Sequence, residues 1–166
     1  MAEGAWHRTG ALGILVATVG PGALNGVNAV ANAHQDRVPM IVIAGAVDAD
    51  EAQSYTHQVL DQTAVFAPIT KASFTFNAGA AHIIADKAVS IALEGRPGPV
   101  HIYLPIAVAV AQVPATAPFA RAPAAPVIPA QNVLEQAASW LSTANRPVII
   151  AGLDAVNEDA AAALTE

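Results

Sequence analysis

The sequence predicts an α/β fold: a partial doubly wound parallel sheet, then the start of a second α/β unit. Three observations predict it. Short apolar runs rich in β-branched residues recur at Leu12–Val19, Met40–Val47 and Val100–Leu104, the pattern of strands buried on both faces. Segments with helical spacing lie between them, and strands alternating with helices imply parallel pairing. Glycine and proline punctuate the junctions, at Gly20-Pro21-Gly22 and Gly95-Arg96-Pro97-Gly98.

The elements follow in order. Ala2–Thr9 reads as a helix ended by Gly10, and Leu12–Val19 as the first buried strand. After the glycine-proline break, Ala23–Gln35 has helical spacing through Leu24, Val27, Val30 and Ala31. Pro39 opens the second strand, Met40–Val47, and Asp48–Ser54 is a polar connection. Tyr55–Phe66 is expected to be helical, stopping near Pro68. Ala72–Phe76 alternates as a third strand, and Gly79–Leu93 is an amphipathic helix with Ile83, Ile84, Ala88 and Ile91 on one side. Val100–Leu104 is the fourth strand, closed by Pro105. Residues 1–112 thus form a partial first domain. Residues 113–130, holding Pro114, Pro118, Pro123, Pro126 and Pro129 among alanines, read as a semi-extended linker. Residues 131–166 begin a second domain with a helix (Asn132–Ala144), a buried strand (Pro147–Ala151) and an unfinished helix (Glu158–Glu166).

Composition narrows the function classes. The 166 residues are 54% hydrophobic, enough for a sizeable core. No cysteine is present, which excludes disulfides and thiolate chemistry. Seven Lys+Arg against thirteen Asp+Glu give a formal charge of −6, with no basic run to hold nucleic acid. The uncharged stretch Ile102–Ala120 is nearly as long as a membrane helix, but Pro105, Pro114 and Pro118 break it. Nothing near Met1 has the pattern of a signal peptide. A soluble cytoplasmic protein with no membrane partner is expected. His7, His34, His57, His82 and His101 lack metal-ligand spacing, so no metal site is expected. Trp6 and Trp140 are expected to pack on helices, and Asp61 and Gln62 to cap and pack locally.

The strongest local feature is Thr18–Asn25 (TVGPGALN), between a buried strand and a helix. Ligands in open α/β sheets bind at the carboxyl ends of strands, where helix amides are free. Glycines there let the backbone approach a flat ring, and proline fixes the turn. A tight strand–helix turn without a ligand explains the same residues. A third reading is a free-standing nucleotide-binding domain. Gly20, Gly22 and Gly26 approximate a dinucleotide fingerprint, with Asp48 placed to meet a ribose. The spacing is GxGxxxG rather than GxGxxG, however, and Pro21 removes an amide.

Several further pieces occur in order: Met1-Ala2-Glu3-Gly4, Arg8-Thr9-Gly10, Gly20-Pro21-Gly22-Ala23 with Asn25, and Asp36-Arg37-Val38-Pro39 before Ile43-Ala44-Gly45. Gln58, Asp61-Gln62, Pro68-Ile69-Thr70-Lys71-Ala72-Ser73 and Gly95–Val100 continue them. Together they resemble the latter two-thirds of the N-terminal, pyrimidine-binding domain of acetolactate-synthase-like thiamine-diphosphate enzymes. The linker and Pro147–Gly152 resemble the entry to that family's central domain.

The resemblance implies a carboligase or decarboxylase acting on 2-oxo acids, working as a homodimer or tetramer with the coenzyme in a cleft between subunits. It implies that Gly20, Pro21, Gly22 and Asn25 bind the pyrimidine half of thiamine diphosphate. It makes Gln58 a catalytic residue, whose amide can donate and accept without titrating. It implies Mg²⁺ in the complete enzyme. It leaves FAD open, because flavin contacts in relatives come mainly from central and later segments.

The departures matter equally. In relatives the catalytic glutamate precedes the position of Met1, and Glu3 is not its replacement. The diphosphate and metal ligands belong to a C-terminal domain. Ala107 stands where many relatives have Asp, and Ala5 where they usually have Tyr. The chain alone is therefore expected to be inactive. A non-catalytic assembly partner of a separately encoded remainder is the alternative.

Overall fold

A computed structural model describes residues 1–116, 127–157 and 160–165. The chain divides into two compact units, Met1–Ala122 and Pro123–Glu166.

In the first unit, helix α1 (Ala2–Thr9) ends where Gly10 takes the left-handed conformation, φ 68°, and its amide donates to Trp6 O at 2.8 Å. Strand β1 (Gly13–Ala17) follows. Gly13 lies so close to the carbonyl of Ala2 that a β-carbon there would collide with it. Helices α2 (Pro21–Leu24) and α3 (Val27–Gln35) lead to β2 (Met40–Ala46). Helix α4 (Gln62–Phe66), β3 (Ser73–Thr75), α5 (Ala81–Leu93), β4 (Pro99–Pro105) and α6 (Ile106–Ala109) complete the unit.

The four strands form a parallel sheet in the order β1-β2-β4-β3. Its register aligns Leu15 with Val42, Val42 with His101, and His101 with Ser73. Because β2 alternates, it feeds two cores. Met40, Val42 and Ala44 pack with Val30 and Ala33 of α3 and Phe66 of α4. On the opposite face Ile41 packs with Val100, Ile102 and Ala88 and Ala92 of α5. The chain steps outward from β1 through β2 to β3, then back to β4. With crossovers of one hand, that reversal puts α5 on the opposite face from α3 and α4. The sheet is thus doubly wound and α/β, as the sequence predicts.

Five expectations are corrected. β1 is not buried on both faces: Ile14 is 60% and Val16 71% exposed. It is the sheet's edge, and on that face the described helix α5 packs over β2 and β4 instead. The helix expected over Ala23–Gln35 is two helices, because the Gly26 amide reaches back only to Ala23 O (3.1 Å) in a tighter turn. Leu15 fills the space a side chain at Gly26 would need. The helix expected from Tyr55 begins only at Gln62. Asp61 sets its start by accepting from the Ala64 amide at 2.9 Å, and Gln58 has a left-handed φ of 67° that no helix tolerates.

The fourth correction lies in the second unit, where α7 (Gln131–Thr143), α8 (Leu153–Asn157) and α9 (Ala161–Thr165) are helical. Pro147–Ala151 is not a strand. Val148 and Ile150 are 84% and 92% exposed, and no described strand lies beside them to accept the ladder. Trp140, expected to pack, is exposed as well. The middle of the proline-rich linker, residues 117–126, and Glu158, Asp159 and Glu166 of the expected last helix, lie outside the described residues. Among the described residues no helix is long and apolar enough to cross a membrane.

Candidate functional site

The carboxyl ends of β1, β2 and β4 meet the Gly20 turn and the segment before α4. Leaving β1, the chain turns at Gly20 with φ 56° and ψ −120°, and Pro21 begins α2. The amides of Gly22 and Ala23 donate back to Val19 O (3.1 Å) and Gly20 O (3.0 Å), closing the bend.

Gly20 is buried, and the reason is specific. A β-carbon there would lie 2.6 Å from Gln58 Cα and 2.7 Å from Gln58 O. At Gly22 the corresponding space is taken by the Thr18 side-chain methyl. At Gly20 a side chain is opposed by backbone, whereas at Gly22 it would meet the exposed Thr18 side chain. Pro21 and Asn25 are exposed on the same bend.

Of the residues singled out by sequence, the structure thus brings Gly20 and Gln58 together across thirty-eight positions of chain (58 minus 20). Pro21, Gly22 and Asn25 follow Gly20 on the same bend, with Asn25 capping the end of α2. Gln58 is exposed, and its left-handed backbone is unusual for a residue with a side chain. His57 is exposed beside it.

Sequence reasoning gave Asp61 and Gln62 only capping and packing roles, and both do that. It did not see that Gln62, 1% exposed, donates through Nε2 to the carbonyl of Gly45 at 2.7 Å. Its Oε1 has no partner among the described residues. No spacing rule signals a polar residue in a core; only its place one turn before the apolar Phe66 on α4 hinted at the same face.

Asp48 stands just beyond the carboxyl end of β2, as the nucleotide reading expects. Its Oδ1 and Oδ2 accept from the Ala107 amide at 3.2 and 3.1 Å, at the start of α6. Tyr103 Oη donates to Val47 O at 3.4 Å. These bonds tie the ends of β2 and β4.

Below the site, His101 is fully buried and stacks on Phe66, with ring centroids 4.5 Å apart. Its Nδ1 shares a 2.7 Å hydrogen bond with Ser73 Oγ, and burial pushes its pKa down to about 4. Lys71 donates to the carbonyls of Ile91 and Glu94 at the end of α5. Burial lowers its pKa, and the Glu94 carboxylate pulls it partly back. Away from these groups, Glu3, His7 and Asp36 place ligand-type atoms within 4.8 Å of one another. There Asn32 Nδ2 already donates to Glu3 Oε1 (2.6 Å) and Asp36 Oδ2 (3.3 Å), which gives the group a role in tying α1 to α3.

Comparison with known proteins bears on the same region. Residues 1–65 match the family described as thiamine pyrophosphate enzyme, N-terminal TPP binding domain. The acetolactate synthase large subunit of Buchnera aphidicola is 40% identical over 106 residues, covering 63% of this chain and 19% of that protein. Escherichia coli acetolactate synthase isozyme 1 large subunit is 32% identical over 96% of this chain and 29% of its own length. Glyoxylate carboligase of another Escherichia coli strain is 32% identical over 100% of this chain and 28% of its own. The chain spans less than a third of the length of these relatives.

Proposed function

Since the chain belongs to the thiamine-diphosphate-dependent, acetolactate-synthase-like family, we propose that its first unit holds the pyrimidine half of thiamine diphosphate on the Gly20 bend. The complete protein then condenses or decarboxylates 2-oxo acids. The observation that carries this reading is the contact of Gly20 with Gln58, which sets an exposed amide beside the bend at the sheet's carboxyl end.

The donor set suits an aminopyrimidine. Such a ring presents both acceptors and an amino donor at its edge, and apolar faces. Asn25 and Gln58 carry amides that donate and accept, and Pro21 offers a rigid apolar surface. Gly20 and Gly22 act by shaping the bend. When bound, thiamine diphosphate would supply a nucleophilic ring carbon. The Gln58 amide would be placed to donate to the carbonyl oxygen of a bound 2-oxo acid, without changing protonation state.

Diphosphate and Mg²⁺ are held, on this reading, by groups outside the described residues, and a second copy of the subunit completes the cleft. The exposed apolar side chains Ile14 and Val16 on the edge strand support such association. The purified chain should bind thiamine diphosphate weakly, read as a change in Trp fluorescence, and should not turn over pyruvate. Failure of thiamine diphosphate to perturb that signal, with NAD or FAD perturbing it instead, would overturn the coenzyme assignment. Turnover of pyruvate that depends on thiamine diphosphate and Mg²⁺ would overturn the expectation of inactivity.

A further inference from the structure

We propose that Gln62 is a positioning residue, whose buried side-chain amide locks the Gln58 segment against the Gly20 bend. The inference rests on the reading that Gln58 faces the coenzyme, and it adds what holds Gln58 there.

The geometry is a closed circuit. Gly45 lies against Val19: a β-carbon at Gly45 would be 3.3 Å from Val19 Cγ1 and 3.4 Å from Val19 N. Val19 leads into Gly20, and Gly20 touches the backbone of Gln58. From Gln58 the chain runs through three residues to Gln62, whose Nε2 returns to Gly45 O at 2.7 Å. Removing the last link opens the circuit. The intervening residues contribute little of their own, since 55–61 has no regular secondary structure and Gln58 and Val59 are exposed.

Two local features aim Gln62 at this task. Asp61 accepts from the Ala64 amide at 2.9 Å and fixes the first turn of α4. Phe66, one turn on, stacks on His101 and anchors the far end of the helix in the core. From this helix the buried Gln62 side chain points into the sheet's carboxyl edge, where the Gly45 carbonyl accepts from it. The energetic argument is the orphaned Oε1. Burying an amide that satisfies only one of its two polar ends gains one hydrogen bond and leaves an acceptor desolvated, two effects of similar size and opposite sign. Glutamine at this position therefore adds little net stability over an apolar residue of the same size. What it adds is direction, because only a donor can select the Gly45 carbonyl.

The test compares local order with global stability in the full chain. In Gln62→Met, cleavage within residues 55–61 by limiting proteinase K, mapped by mass spectrometry, should speed up at least tenfold, while the urea midpoint changes little. Phe66→Leu should lower global stability without that selective effect. Gln62→Glu supplies a second decision, even if Gln62→Met fails to fold. A buried carboxyl has its pKa raised, so at pH 5 the protonated side chain can donate to Gly45 O. At pH 8 the carboxylate cannot donate. Cleavage of 55–61 in this variant should approach the wild-type rate at pH 5 and rise well above it at pH 8, each compared with wild type at the same pH. Unchanged cleavage over 55–61 in Gln62→Met, or cleavage of Gln62→Glu that keeps the same ratio to wild type at both pH values, overturns the proposal. Thiamine diphosphate binding is measured in parallel. A wild-type chain that does not bind it removes the coenzyme reading, while the cleavage data still decide what Gln62 does.

Discussion

Two segments of this chain are nearly the same sequence and differ completely in structure. Pro39-Met40-Ile41-Val42-Ile43-Ala44-Gly45 forms the central strand β2, with Val42 0% exposed. Pro147-Val148-Ile149-Ile150-Ala151-Gly152 is not a strand, and Ile149 is 63% exposed. Each follows a proline, carries a run of β-branched residues and ends in Ala-Gly. The difference is in what surrounds them. β2 has β1 on one side and β4 on the other, and helices cover both its faces. Residues 148–151 have no described strand to pair with. Strand propensity is a preference for a pleated, half-buried place, and without such a place it decides nothing.

The largest test of that contrast puts a charge into each segment. Val42→Asp strands an unpaired carboxylate between β1 and β4 and should cost ~4 kcal/mol or more, enough to abolish cooperative unfolding. Ile149→Asp should change stability by less than about 0.5 kcal/mol, because its side chain is already in water. Urea titrations followed by far-UV circular dichroism measure both. Comparable losses would mean that residues 148–151 are as integral as β2, and the contrast would be void.

A second test uses the protonation of His101, the β4 neighbour of Val42. The folded state holds this imidazole neutral, with a pKa of about 4 against 6.5 for an unburied histidine. Protons bind the unfolded chain first. Its contribution to stability is therefore complete above pH 6.5, is lost as pH falls towards 4, and levels off below that. The shift corresponds to about 3 kcal/mol across that window. Wild type should lose more stability than His101→Leu between pH 7.5 and pH 4, as read by urea midpoints. Parallel pH profiles for the two proteins would show that the buried imidazole has no part in acid sensitivity.

Next in size is Gly20→Ala. The positive φ and the contact with Gln58 Cα both oppose a side chain, and the expected loss is about 2 kcal/mol. Gly10 also has a positive φ, but no neighbour lies within 4 Å of a β-carbon there. Gly10→Ala should therefore cost about 1 kcal/mol, the backbone part alone. Equal losses at the two glycines would remove the Gln58 contact from the explanation of the bend.

How much of this was legible beforehand follows the same division. The parallel sheet could be read because β2 and β4 are apolar runs bounded by proline and glycine, and α5 has a clear apolar stripe. Gly20 could be singled out because a glycine-proline-glycine break after a buried run marks a bend. What filled the bend could not be read. Gln58 backbone and Thr18 methyl reach Gly20 and Gly22 through tertiary packing, and a glycine spared for a ligand looks the same in sequence as one spared for the chain itself. The exposure of Ile14 and Val16 was equally hidden, because an edge strand and a central strand share one composition. Gln62 was placed as a local packing group because its bond to Gly45 spans seventeen positions, beyond any local pattern.

The smallest prediction is the most direct probe of the two matching segments, at their shared final glycine. A β-carbon at Gly45 would press on Val19, 3.3 Å from Cγ1 and 3.4 Å from the amide nitrogen, so Gly45→Ala forces the β1 exit to shift by a few tenths of an ångström. At Gly152 nothing lies within 4 Å, and the backbone needs no positive φ. There alanine restricts the unfolded chain, but it is a poorer N-cap than glycine for α8, which begins at the next residue, and the two effects leave a net change within about 0.5 kcal/mol. The two substitutions should thus differ in size: a lower urea midpoint for Gly45→Ala, a smaller change or none for Gly152→Ala. If both lowered it alike, Gly152 would have close neighbours just as Gly45 does. Packing context would then no longer separate the two segments, and their different structures would need a cause within the segments themselves.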